Sequence, residues 1–288
     1  MGVFSITKMA ARLLTIVLIV VICTNSIAQD DLAERVEASL ERAIEFLRLN
    51  QQADGGWEEI PRFEYGVTAL CTLALLNAGK APDDPMVADA LDRLDGKVLE
   101  DTYCVALQSM VFCAANPSRY ASQIEANTRW LLKLQENNGG WGYGEKRTGA
   151  SDPSNSQFAL LGLHEAQRAG VTGLKPAEWS TVFQRAEQYW ERLQNGDGGF
   201  SYGDGQPGRG SMTCAGIASL AITGSQLSRG EATVQGDDIQ CCGNDSDSPQ
   251  QRIERAFQWL TRRYLISRNP GHSSDHLYYL YALERAGR

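Results

Sequence analysis

Gln135-Glu136-Asn137-Asn138-Gly139-Gly140-Trp141 closes a helical stretch, and the same pattern closes two others, at Gln51-Gln52-Ala53-Asp54-Gly55-Gly56-Trp57 and at Gln194-Asn195-Gly196-Asp197-Gly198-Gly199-Phe200. The three align without gaps. In each an aromatic stands five residues before the glutamine (Phe46, Trp130, Tyr189) and another six after it (Trp57, Trp141, Phe200). Two copies open on an Arg-Ala pair, Arg42-Ala43 and Arg185-Ala186. A worn fourth copy begins at Arg255-Ala256, with Trp259 in the first aromatic slot, Tyr264 in place of the glutamine and Pro270 in place of the last aromatic. Self-similarity of this kind is the mark of a repeat architecture, and it governs every later step of the reading.

Working outward, each copy ends an amphipathic helix, and the Gly-Gly pair supplies a tight turn that stops it. A second, more apolar helix follows each turn, expected at about Phe63–Ala78, Ser154–Ala169, Ser211–Thr223 and Ser274–Ala286. These close on Gly79, Gly170, Gly224 and Gly287. One further pair without the glutamine pattern fits between them, at about Pro85–Leu99 and Thr102–Ala115. A helix without a polar face wants burial on all sides, so the apolar helices should form an inner ring and the charged ones an outer ring. Ala69, Ala74, Ala159, Gly162, Ala215, Gly216 and Ala218 would let inner helices approach closely. Alternating β-branched runs are missing, so no strand is expected. The fold class is all-α, an α/α toroid of about five helix pairs.

The N-terminus bears on the compartment. Lys8 and Arg12 precede an uninterrupted apolar run, Leu13 to Cys23, and then Ser26-Ile27-Ala28. That is the order of a signal peptide, 1–28, with cleavage after Ala28, and the run is too short to span a bilayer comfortably. The toroid domain is then 29–288, and the expected destination is secreted or periplasmic, with no transmembrane span after cleavage. The formal charge is −8, and loss of Lys8 and Arg12 would lower it by two more. An acidic chain without a basic run argues against nucleic acid as a partner. Cys71, Cys104, Cys113 and Cys214 fall in apolar helices, where a free cysteine behaves as a small hydrophobe. Only Cys241 and Cys242 fall in a polar stretch. It belongs to an insertion, 225–249, that also carries Glu231, Asp237, Asp238, Asp245 and Asp247. Their spacing matches no calcium loop or zinc knuckle, which favours a solvated loop.

On these residues the chain resembles the prenyltransferase and squalene-cyclase repeat family of terpenoid-cyclase-like toroids. The resemblance covers about Asp31 to the C-terminus, and Ser154–Leu161 and Gly210–Ile217 are similar to stretches in exported bacterial toroid proteins that carry a further domain. It implies that Gln51, Trp57, Gln135, Trp141, Gln194 and Phe200 are structural, bracing junctions between outer and inner helices. Family toroids commonly close with six pairs, so five imply an open ring, or one completed by self-association or an additional domain. Cyclases of the family use an Asp-x-Asp-Asp acid, and the nearest run here is Gln235-Gly236-Asp237-Asp238. Protein prenyltransferases hold zinc with Asp, Cys and His. Asp275-His276 stands at a helix start loosely like theirs, but Asp101-Thr102-Tyr103-Cys104 has the wrong spacing for the rest of the set. Cys241-Cys242-Gly243-Asn244 is not the thioester sequence of complement-like toroids. No catalytic residue, metal or cofactor is nominated.

The remaining expectation is a binding site. Inner helices that start on one side point their unsatisfied N–H groups into one mouth, which would suit a polar or anionic head. Tyr65, Tyr103, Asn155, Gln157, Ser211, Thr213, Cys214, Asp275 and His276 would line it, above an apolar lumen. The same residues also serve as helix caps and packing aromatics on a plainer reading. The expected role is therefore binding or scaffolding, with an isoprenoid-like or other amphiphilic ligand in the lumen. A divergent terpenoid cyclase or prenyltransferase stays open beside it. So does a toroid acting on polysaccharide, for which Glu58, Glu59 and Glu64 are the acids to consider.

Overall fold

The computed structural model describes residues 31–144, 151–203, 205–227, 232–235, 238–241 and 248–287. The signal-peptide expectation, 1–28, lies outside these residues. So do Glu231, Asp237, Cys242, Asp245 and Asp247 of the insertion. The chain divides into two compact units, Met1–Gln52 and Ala53–Arg288.

The described part of the first unit is one helix, α1, over 31–50. Its solvent-facing side is tied by near neighbours, Arg48 to Glu45 at 2.6 Å and Arg35 to Asp31 at 3.9 Å. Pairs at this spacing each add only a few tenths of a kcal/mol to a helix.

The second unit contains α2 (Gly66–Asn77), α3 (Pro85–Leu94), α4 (Thr102–Ala115), α5 (Ala121–Leu134), α6 (Pro153–Ala169), α7 (Pro176–Arg192), α8 (Gly210–Leu227), α9 (Pro249–Arg263) and α10 (His276–Ala286). The even-numbered helices pack in series, α2 on α4, α4 on α6, α6 on α8 and α8 on α10. These are the inner helices. The odd-numbered ones lie outside them, α3 on α2, α5 on α4 and α6, α7 on α6 and α8, α9 on α8. Every residue from Pro153 to Leu163 and from Gly210 to Leu220 is buried, whereas α5 buries only Ile124, Thr128 and Leu131. Burial on all sides is what an apolar helix without a polar stripe requires. Gly162 lets α6 meet the backbone of α4 at Ala106, and Gly216 makes room for the ring of Phe200.

The repeat is explained by the turns. Asp54, Asn138 and Asp197 each accept a hydrogen bond from the second glycine, at 3.0–3.1 Å. The first glycine adopts a left-handed backbone, with φ of 85°, 91° and 94° at Gly55, Gly139 and Gly198. A Cβ there would overlap the carbonyl of Asp89, Arg185 or Arg255 on the next outer helix, so glycine is needed both for conformation and for space. The aromatic that follows donates its backbone N–H to an inner-helix hydroxyl. Trp57 uses Thr68 (3.2 Å), Trp141 uses Ser156 (2.8 Å) and Phe200 uses Thr213 (3.1 Å). The glutamines reach the other way. Gln135 donates to Gly139 O and Val182 O, both at 3.0 Å, and Gln194 to Gly198 O (3.1 Å) and Arg252 O (2.8 Å). The expected outer-to-inner brace is thus shared. The aromatic ties the turn inward, and Gln135 and Gln194 tie it to the following outer helix.

The pair lacking the pattern solves the same problem differently. Gln108, buried on inner helix α4, donates to Leu94 O and Lys97 O at 3.1 Å and accepts from Asn127 of α5 at 2.8 Å. Two local expectations need correction. Gly224 does not end α8, which runs on to Leu227, since a helical glycine costs about 1 kcal/mol but forbids nothing. The insertion also contains a short antiparallel hairpin, β1 (Ala232–Gln235) with β2 (Asp238–Cys241), pairing Ala232 with Cys241 and Gln235 with Asp238. A two-residue Gly-Asp link is a hairpin signal, and it outweighs the absence of long alternating runs.

Candidate functional site

Ring contacts join the residues before α2 to the first two turns of α4, α6 and α10. Tyr103 lies 5.8 Å from Phe63 and 4.8 Å from Phe158, and Phe158 stacks on Tyr281 at 5.0 Å and Tyr278 at 6.5 Å. Rings therefore meet where the inner helices converge. Tyr103 OH bonds Ser154 Oγ, which donates on to Asp152, and Tyr278 OH donates to Gln157 Oε1 at 2.7 Å. Burial pushes the Tyr103 and Tyr278 hydroxyls well above the ordinary phenol range, so they stay protonated donors.

The helix starts carry their own anions. Glu59 accepts from Val67 N (2.9 Å) and Thr68 N (3.1 Å) at α2, Asp101 from Tyr103 N (3.0 Å) at α4, and Asp152 from Asn155 N (3.0 Å) at α6. At α8 the same need is met by Pro270 O and Asn269 Oδ1, the latter accepting from Ser211 N at 2.9 Å. At α2, α4 and α6 carboxylates of the chain thus already accept from first-turn amides.

Between the starts of α2 and α4 lies a cavity of about 320 Å³, lined in part by Arg62, Glu64, Tyr65, Glu100, Asp101 and Tyr143. Tyr65 holds φ 65°, a left-handed backbone unusual for a bulky residue. Burial raises the Asp101 carboxyl to about 6, against partial relief from the Tyr103 amide and Arg62. The Cys104 thiol at the cavity wall is pushed far up by burial and by the nearby carboxylates, and is no nucleophile at neutral pH. A larger cavity of about 760 Å³ lies between the third Gly-Gly turn and the 264–273 connection. It adjoins the start of α8, whose first amides donate to its Asn269 and Pro270, and its Trp259 is almost wholly enclosed. Chemistry favours the smaller one, where an acid of altered pKa and a strained backbone coincide.

The prenyltransferase alpha-alpha toroid domain family matches residues 5–271 of this sequence. The chain belongs to that toroid family. A curated relative, the squalene–hopene cyclase of Zymomonas mobilis subsp. mobilis, is 27% identical over 215 residues, covering 59% of this chain. The chain spans 32% of that relative's length.

Within this family frame, the nine residues expected at the mouth separate into two groups. Tyr65 lines the cavity, and Tyr103 sits beside it in the ring cluster. Asp275 is exposed, 3.9 Å from Arg209 and 3.7 Å from His272, while His276 Nε2 bonds Ile266 O at 2.9 Å. Asn155, Gln157, Ser211, Thr213 and Cys214 are enclosed instead. Ser211 bonds Asn269, and Thr213 serves the Phe200 brace while donating to Arg209 O. The Cys214 thiol is pushed up to about 12 by burial. Asp275 and His276 therefore keep separate partners, and Cys214 is buried apart from them. Among the described residues no group of three or more His, Cys, Asp or Glu is placed to hold a metal ion. Cys71, Cys104, Cys113 and Cys214 are free thiols. Among the described residues no helix is long and apolar enough to cross a membrane.

Asp101, Arg62 and Tyr143 were not nominated from sequence. Asp101 before the apolar run of α4 has the form of an N-cap, which marked its backbone role but not its cavity. Tyr143 follows the second Gly-Gly-Trp turn and reaches the preceding helix start, where Thr102 N donates to its carbonyl at 3.2 Å. No spacing rule announces that contact.

Proposed function

We propose that this chain is an exported toroid used for binding or scaffolding, with its ligand taken at the mouth between the starts of α2 and α4. The observation that carries this reading is the 320 Å³ cavity walled by Tyr65, Tyr143 and Asp101. Its volume falls in the range of small-molecule sites, and it combines apolar rings with a few convergent polar groups. The rings gathered at Tyr103, Phe158 and Tyr281 favour this mouth over a deep lumen as the place of contact. An amphiphile would lay its polar end here. Solvent extraction and mass spectrometry of the purified chain test the reading, with a stoichiometric small molecule expected. Loss of that molecule in Tyr143→Ala supports the site. An empty protein that also fails to take up any member of a lipid extract would overturn it.

A second reading is carried by Asp101. A carboxyl held near neutrality beside aromatic rings can donate a proton, and the relative with partial coverage is named a squalene–hopene cyclase. Incubation with squalene and with prenyl diphosphates, followed by product chromatography, decides it. Products that vanish in Asp101→Asn would establish this enzyme reading in place of the first. For action on polysaccharide, Glu59 is poorly placed, because both its oxygens serve the α2 amides.

A further inference from the structure

We infer that the mouth cavity between α2 and α4 selects an organic cation, an ammonium or guanidinium group, and that Arg62 occupies its aromatic wall as a displaceable stand-in. The inference rests on the reading of this mouth as a binding site and names the chemistry it would take.

Three observations converge. The Arg62 guanidinium lies over the ring of Tyr143 with 4.6 Å to the centroid, and 5.0 Å from that of Phe63. Tyr65, on the other wall, carries Arg93 at 5.4 Å and Lys97 at 5.5 Å. Both aromatic walls thus already hold positive groups of the chain itself, at the distances where a ring quadrupole attracts a cation. Among the described lining residues Arg62 is the basic side chain, beside the carboxyl groups of Glu64, Glu100 and Asp101. Burial raises the Asp101 carboxyl, and the Arg62 charge partly relieves it, so a cation at this place is favoured by the acid as well as by the rings. A cation entering the cavity would gain the ring faces and relieve the buried acid together.

Arg62 is the part that can give way. It is solvent-exposed, on the stretch between the first Gly-Gly turn and α2, whereas Phe63 and Tyr65 beside it are partly buried. A ligand cation would push its head outward while the rings stay in place. An anion finds no such arrangement, because the helix starts are already served by Glu59 and Asp101.

Calorimetric titration of the full-length purified chain with choline, and in parallel with its neutral isostere 3,3-dimethylbutan-1-ol, tests the inference. Choline should bind and the isostere should bind at least about tenfold more weakly. Arg62→Ala should tighten choline by roughly fivefold, since it empties the wall and removes a like charge. Tyr143→Leu should weaken choline by about tenfold, while Tyr143→Phe, which keeps the ring, stays within about twofold. A thermal melt of each variant separates lost binding from lost folding. Equal binding of the two isosteres, or choline affinity unchanged in Arg62→Ala, would overturn the inference. If choline fails while an extracted lipid still binds in a Tyr143-dependent way, the cation inference falls and the mouth reading stands. If neither binds, both fall.

Discussion

The side-chain amide of Gln135 donates to the carbonyl of Val182, 3.0 Å away and on the next outer helix. The same nitrogen holds Gly139 O at 3.0 Å, so one glutamine fastens its own turn and the neighbouring helix at once. Gln194 repeats the arrangement with Gly198 and Arg252. At these two positions the glutamine is a clasp between successive outer helices.

Gln135→Ala removes both bonds from a buried site and leaves two carbonyls unserved. It should lower unfolding free energy by ~1–2 kcal/mol without altering the far-ultraviolet spectrum. Urea titration gives the number. An unchanged midpoint would end the clasp interpretation.

Glycines with a left-handed backbone divide by surroundings. Gly139→Ala meets the Arg185 carbonyl as well as a left-handed backbone, and should cost roughly 2–5 kcal/mol. Gly170→Ala has φ 66° but open space around it, and should cost only ~1–2 kcal/mol. Equal effects in the two variants would show that conformation alone matters there.

Phe158 touches Tyr103, Tyr278 and Tyr281. If this ring cluster is packed core, Phe158→Ala should cost ~3–5 kcal/mol. A ligand tunnel would instead tolerate the change, leaving the melting temperature close to that of the parent. Differential scanning calorimetry distinguishes the two.

Asp101 links stability to pH. Its carboxyl titrates at about 6 in the folded chain against 3.8 for an unperturbed aspartate. Between those values the folded state binds more protons, so the stabilisation is full below about 4 and is lost as pH rises through 6. Asp101→Asn keeps a side-chain acceptor at the start of α4 and removes the titration. The variant should therefore gain on the parent as pH climbs from 4 to 7. Parallel curves over that span would mean that Asp101 is not shifted.

Much of the fold was legible because a repeat writes its own frame. Gln-x-x-Asp/Asn-Gly-Gly-aromatic located three turns, and the apolar runs after them located the inner helices. What the pattern could not say is which distant group each side chain meets. Val182 stands 47 residues from Gln135, and periodicity carries no information across that span. The same limit governed the candidate site. Thr213 read as a mouth residue because it opens an inner helix, yet its hydroxyl is taken by Phe200. Asp101 and Tyr143 form the cavity through a fold-back of the residues after Trp141, which shows no local signal of its partner. Buried helix starts look alike in sequence whether they face a ligand or a neighbouring loop.

The first glycine of each Gly-Gly turn meets the outer helix that follows it in the chain: Gly139 meets Arg185, and Gly198 meets Arg255. During synthesis from the N-terminus, a turn therefore leaves the ribosome before its docking surface exists, and it must wait for a further helix pair to be translated. The expected order of assembly follows the chain, each newly emerged outer helix locking the pair behind it. A nascent chain halted after Trp141 would hold its second turn ungripped, and ribosome pausing between 141 and 182 would lengthen that exposed interval.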